Sequence, residues 1–101
     1  MAAIEISFRP DMREAIVAGR KCCTSRTSCK GRPGDTFAIG TRQYRLTAVR
    51  RHPLHYVASV LYKDEGVDSP AEFGALWAEI YPVRGCDPFQ LVWVHHFEEV
   101  A

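Results

Sequence analysis

Residues 19–26 read Gly-Arg-Lys-Cys-Cys-Thr-Ser-Arg, and three of their side chains could do chemistry together. Lys21 could serve as a base or an electrophile, Thr24 as a hydroxyl nucleophile and Arg26 as an anion clamp. The plain alternative is a solvated cationic loop. A second cluster, Asp64-Glu65-Gly66, follows a segment that reads as a helix, at the end where the backbone dipole disfavours acids. Two acids there, beside Lys63, call for a partner. That partner is either the basic loop, in a structural ion pair, or a reacting group. On both readings Glu65 is expected near Lys21 or Arg26.

The remaining reactive types are less selective. Cys22 and Cys23 sit among cations, which would lower a thiol pKa, although ordinary packing is the better account of them. No C-x-x-C pair occurs, and His95 and His96 are neighbours on a β-prone stretch, so their side chains are expected on opposite faces. Neither a metal nor another cofactor is expected. Nothing in the spacing of His52, His55, His95 and His96 selects a thiol–imidazole pair. Phe73, Trp77 and Trp93 fall at core periodicity, whereas Tyr56 and Tyr62 fit either a core place or stacking on a base. Tyr62, Arg20, Arg26 and Arg32 are therefore the candidate substrate-binding residues beside the reacting group.

The elements that must position these residues follow from the pattern of the chain. Its 101 residues, 47% apolar and 25% charged, predict one domain spanning 1–101. No apolar run approaches the roughly 20 residues of a membrane span. The opening Met-Ala-Ala-Ile-Glu-Ile has neither a charged leader nor an apolar signal core, so a cytoplasmic protein with reduced cysteines is expected. The net charge of +1 hides an asymmetry. Residues 1–51 hold 11 Lys and Arg against 4 acids, and residues 52–101 hold 2 against 8. The basic half would attract an anion such as phosphate, or the two halves neutralise each other across the fold.

Ile4, Ile6 and Phe8 alternate with polar or small residues and predict a strand. Pro10 opens a short amphipathic helix that Gly19 ends. Residues 19–34 have no period and predict a long loop. Strands are expected near residues 36–39 and 43–50, and a helix from Pro53 to Gly66. Ser69-Pro70-Ala71-Glu72 has the capping-box spacing and predicts a helix that stops at Pro82. Another strand could lie near Val83, and residues 90–97 predict the final one. The class is α+β, with strands able to curl into a small barrel.

At residue level, Gly19-Arg20-Lys21-Cys22-Cys23-Thr24-Ser25-Arg26 resembles the G-x-K-x-x-T-x-R signature of ASCH domains. The resemblance continues through Gly34-Asp35, Glu65-Gly66, Ser69, the helix around Trp77 and the β-rich residues 89–97. It implies a PUA-like fold, a small β-barrel with flanking helices around a cleft for RNA or a nucleoside. One bacterial branch of similar length is identified with N(4)-acetylcytidine amidohydrolase activity. That resemblance implies a Lys21–Thr24–Glu65 triad hydrolysing the amide of an acylated nucleoside or nucleobase. Other ASCH proteins are RNA-binding modules or ribonucleases, and that alternative stands beside the first. Two proton arrangements are open: a neutral Lys21 as base, or Glu65 as base with a charged Lys21 stabilising the oxyanion.

Overall fold

The computed structural model describes residues 1–100. Seven elements follow one another: α1 (Pro10–Val17), β1 (Cys23–Arg26), β2 (Thr36–Ile39), β3 (Arg42–Pro53), α2 (Leu54–Val60), α3 (Pro70–Ile80) and β4 (Leu91–Glu99). The four strands form one antiparallel sheet in the order β1-β4-β3-β2, curled into a half-barrel with the helices packed around it. The α+β class read from the sequence holds. β4, the last strand of the chain, lies inside the sheet, and β1 is left as an edge.

Local chemistry explains most boundaries. β2 and β3 form a hairpin closed by Gly40-Thr41, with Gly40 at φ +60°, a conformation glycine adopts without a Cβ clash. β3 is long enough to pair with both β2 and β4, and a bulge between Leu46 and Ala48 turns it as it crosses from one to the other. α1 begins at Pro10, whose missing N–H costs nothing in a first turn. In α3, Ser69 accepts a hydrogen bond from Glu72 N, while Glu72 Oε2 accepts from Asp68 N. The reciprocal cap thus reaches one residue further back than the usual box.

Two apolar clusters flank the sheet. Cys23, Val92 and Val94 pack with Leu54, Val57, Val67, Phe73 and Trp77, joining the sheet to α2 and α3. Ile16, Phe37, Ile39, Tyr44, Leu46 and Phe97 form the other cluster, with Phe37 and Phe97 edge-to-face at 5.1 Å. Each fully buried aliphatic side chain contributes about 1.5–3 kcal/mol, so these clusters fix the frame on which the polar residues sit.

Four local expectations change. Residues 4–8 are not a strand: the contact with β2 is a single parallel bridge, Ala3 with Thr36. Their alternation reflects one-sided burial, because Ile4, Ile6 and Phe8 pack on the second cluster, and the Ser7 carbonyl bonds to Arg26 instead of a ladder. Within the expected long loop, residues 23–26 form β1, paired with β4 from Cys23↔His96 to Arg26↔Trp93. α2 ends at Val60, and turns carry the chain to Gly66. Val83 lies in a turn. Among the described residues, no helix is long and apolar enough to cross a membrane.

Candidate functional site

The site forms where the end of α1 and the start of β1 meet the turn after α2. At the end of α1, Gly19 has φ +82°, and the N–H groups of Arg20 and Lys21 both donate to Ala15 O. This turn directs Lys21 back toward the body of the protein. There Lys21 and Glu65 form an isolated antiparallel bridge, and the N–H groups of Cys22 and Cys23 donate to Asp64 O at 2.8 and 3.0 Å. Gly66 allows the approach. At φ +92°, any Cβ there would come within 3.0 Å of Lys21 Cβ.

Lys21 Nζ donates to the main-chain carbonyl of Glu65 at 2.9 Å and to its Oε1 at 3.0 Å. Both residues are buried, at 4% and 5% exposure. An ammonium carries three donors, so one N–H of Lys21 remains for the cleft. The other carboxylate oxygen, Oε2, accepts from Ser25 Oγ at 2.5 Å. Thr24 is held differently: its Oγ1 accepts from Arg26 Nε at 3.2 Å. Arg26 also donates through Nη2 to Ser7 O at 2.5 Å and lies 5.0 Å from the Phe8 ring centre. Burial lowers the Arg26 pKa from its ordinary value, yet a guanidinium retains its charge in a protein.

His95 supports β1 from the neighbouring strand. Its Nε2 accepts from Lys30 N at 2.9 Å, so its proton sits on Nδ1, which donates to Thr24 O at 3.2 Å. Burial, first among the causes, lowers its pKa and favours the neutral ring this arrangement needs. One imidazole thus ties the loop before β2 to the main chain of Thr24.

These groups line a cleft of about 210 Å³. Lys21, Thr24, Ser25, Arg26 and Glu65 supply its polar part. Phe73, Leu76, Trp77 and Tyr81 of α3 and its C-terminal cap form one apolar wall, and Phe8 and Met12 stand among the remaining lining residues. A larger depression of about 660 Å³, between residues 3–8 and β2, has Glu5 and Arg13 as its charged residues and no lysine or cysteine. The first cleft is the one that sets two hydroxyls, a carboxylate and a lysine beside an apolar wall, a combination that marks a candidate reactive site.

Of the residues singled out in the sequence, Lys21, Thr24, Arg26 and Glu65 line this cleft together, and Arg20, Arg32 and Tyr62 do not. Arg20 is exposed and lies 3.9 Å from Glu14. Arg32 is exposed and its backbone N–H donates to Asp35. Tyr62 is half-buried against the cluster under α2 and α3. Arg26 does not contact Glu65; it holds Thr24 and Ser7. The thiols follow the packing reading and not the reactive one. Burial, then Asp64, pushes Cys22 up, and burial pushes Cys23 up much further, so neighbouring cations do not make either a thiolate.

Ser25 and His95 escaped the reading of the sequence. Ser25 occupies a variable position between the threonine and arginine of the motif, and its partner is 40 residues away. His95 was one of four histidines with no distinguishing spacing. The signal available for Ser25 was strand alternation, which becomes usable once residues 23–26 are known to be a strand.

No protein-family model matches the sequence, and no curated protein is a significant match. Solved structures do match its fold. The hypothetical protein PH0355 superposes with a TM-score of 0.74 at 19% identity, covering 99% of this chain and 100% of that one. The ASCH domain from Lactobacillus crispatus gives 0.67 at 12% identity over 97% of this chain and 77% of its own. ASCH from Zymomonas mobilis gives 0.62 at 13% identity over 92% and 64%.

Proposed function

We propose that this chain, whose fold is that of ASCH domains, hydrolyses the amide joining a small acyl group to a nucleobase or nucleoside, as in N(4)-acetylcytidine. The observation that carries the reading is the convergence of Lys21, Thr24 and Glu65 on one cleft with an aromatic wall. Glu65 is the base: it accepts protons, and the ion pair at 3.0 Å keeps Lys21 as a charged partner beside it. The uncommitted N–H of Lys21 stabilises the oxyanion that forms on the acyl oxygen. A hydroxyl of β1 attacks, and Thr24 is the one the sequence motif indicates. Trp77 and Tyr81, with ring centres 4.7 Å apart, provide an apolar flank for a planar base.

A small substrate fits this site better than a polymer. Of the five cations in residues 20–32, only Lys21 and Arg26 line the cleft, and both already have acceptors. Polynucleotide binding instead needs unpaired cations along a groove.

Acetate release from N(4)-acetylcytidine and from related acylated nucleosides by the purified protein tests the reading. Turnover that Glu65→Gln and Lys21→Ala each abolish, with the fold retained, is the expected result. No release from any acylated base would overturn it. RNA binding that weakens steeply with salt, in the absence of turnover, would replace it with the polynucleotide reading.

A further inference from the structure

Two hydroxyls from consecutive residues of β1 line the cleft, and they are not equivalent. Neighbouring strand residues project to opposite faces of a sheet. Thr24 pairs with His95 and Ser25 with Val94 in the β1–β4 register. Ser25 therefore shares a face with Cys23 and Val94, whose side chains pack against α2 and α3. The Lys21–Glu65 pair lies within reach of that face. Thr24 shares the other face with Arg26, which donates to its oxygen.

We infer that Ser25 is the hydroxyl that attacks the substrate, and that Thr24, anchored by Arg26, is a donor to the bound acyl group. The inference rests on the hydrolase reading for its substrate, but its chemistry is carried by the contacts themselves. Ser25 Oγ donates to Glu65 Oε2 at 2.5 Å, and Glu65 Oε1 accepts from Lys21 Nζ at 3.0 Å. This is a nucleophile hydrogen-bonded to a base that a third group orients. Thr24 contacts a guanidinium, which accepts no proton.

The Ser25 proton passes to Glu65 Oε2 as Oγ bonds to the acyl carbon, and the carbonyl electron pair moves to oxygen beside Lys21. Collapse of that intermediate breaks the C–N bond, and the leaving amine takes the proton from Glu65. Water then attacks the acyl-serine ester, giving one proton to Glu65, which returns it to Ser25 Oγ as the free acid departs. The sum is amide plus water to acid plus amine.

The test uses p-nitrophenyl acetate, an activated ester that reports on the nucleophile independently of the natural substrate. Wild-type protein is mixed with the ester, quenched in acid and digested, and the acetylated residue is located by fragment mass spectrometry. A hydroxylamine-labile acetyl group on Ser25 is expected. Ser25→Ala should abolish it and lower turnover by about a thousandfold, Ser25→Cys should restore an acyl adduct at residue 25, and Thr24→Ala should cost about tenfold while leaving the adduct on Ser25. An ester on Thr24, acetylation confined to lysine amines, or a Ser25→Ala variant within tenfold of wild type would overturn the inference. Acylation of Ser25 without hydrolysis of any acylated nucleoside would leave Ser25 as the nucleophile and remove the proposed substrate class.

Discussion

Lys21 and Glu65 leave water together, with side chains 4% and 7% exposed and 3.0 Å apart. Such a pair costs desolvation energy on both ions, which their attraction offsets only while both are present. Lys21→Met leaves the carboxylate with the Ser25 hydroxyl as its remaining partner. Glu65→Leu leaves the ammonium with one main-chain carbonyl. Each single change should therefore destabilise the fold by about 3–5 kcal/mol. With a urea dependence of about 1–3 kcal/mol per molar, even 3 kcal/mol lowers the unfolding midpoint by about 1–3 M. The double variant Lys21→Met/Glu65→Leu replaces the ions with apolar side chains, so it should lie within about 1 kcal/mol of wild type or above it. Urea unfolding followed by tryptophan fluorescence gives all four stabilities and the coupling energy. Singles that each cost less than about 1 kcal/mol, and simply add in the double, would refute the argument that this is a buried ion pair.

The other expectations concern titration and thiols. His95 has a pKa below its ordinary value of about 6.5 because it is buried. The unfolded chain accepts a proton that the folded one resists, so His95 stabilises fully above about pH 6.5 and its contribution is lost as pH falls below that value. His96 shifts the same way, again through burial first. Urea midpoints should fall between pH 7.5 and 5.5 in wild type and fall less in His95→Asn; equal slopes would count against the assignment. For the thiols, iodoacetamide at pH 7.5 should label Cys23 only after unfolding, and should label Cys22 more slowly than an unperturbed thiol. Rapid labelling of Cys22 in the folded protein would contradict the effect of burial and Asp64.

The frame was largely legible because it rests on local rules. Pro10, Ser69-Pro70 and Gly40 mark their turns and helix starts through backbone chemistry that needs no tertiary context. β1 was not legible, because Cys-Thr-Ser-Arg has the composition of a loop, and only pairing with β4 makes it a strand. Residues 4–8 failed in the opposite sense: alternation records which side is buried, and an extended chain lying on a core alternates without a ladder. In the site, Lys21 and Glu65 were visible as types that need partners. The different partners of Thr24 and Ser25 were not, since they depend on which face of an edge strand meets the turn after α2.

That turn is stitched to β1 across 44 residues, through Lys21 and Glu65. β1 in turn is held in the sheet by β4, the last element of the chain. Contacts of such long sequence separation require the loops between them to close, which costs chain entropy and slows folding. During synthesis residues 21–26 emerge well before β4, the strand that holds β1 in the sheet. A chain lacking residues 91–99 would carry Lys21, Ser25 and Glu65 without the strand that pairs with β1. The geometry of the cleft thereby depends on a strand that lies 65 residues or more beyond β1 in the chain.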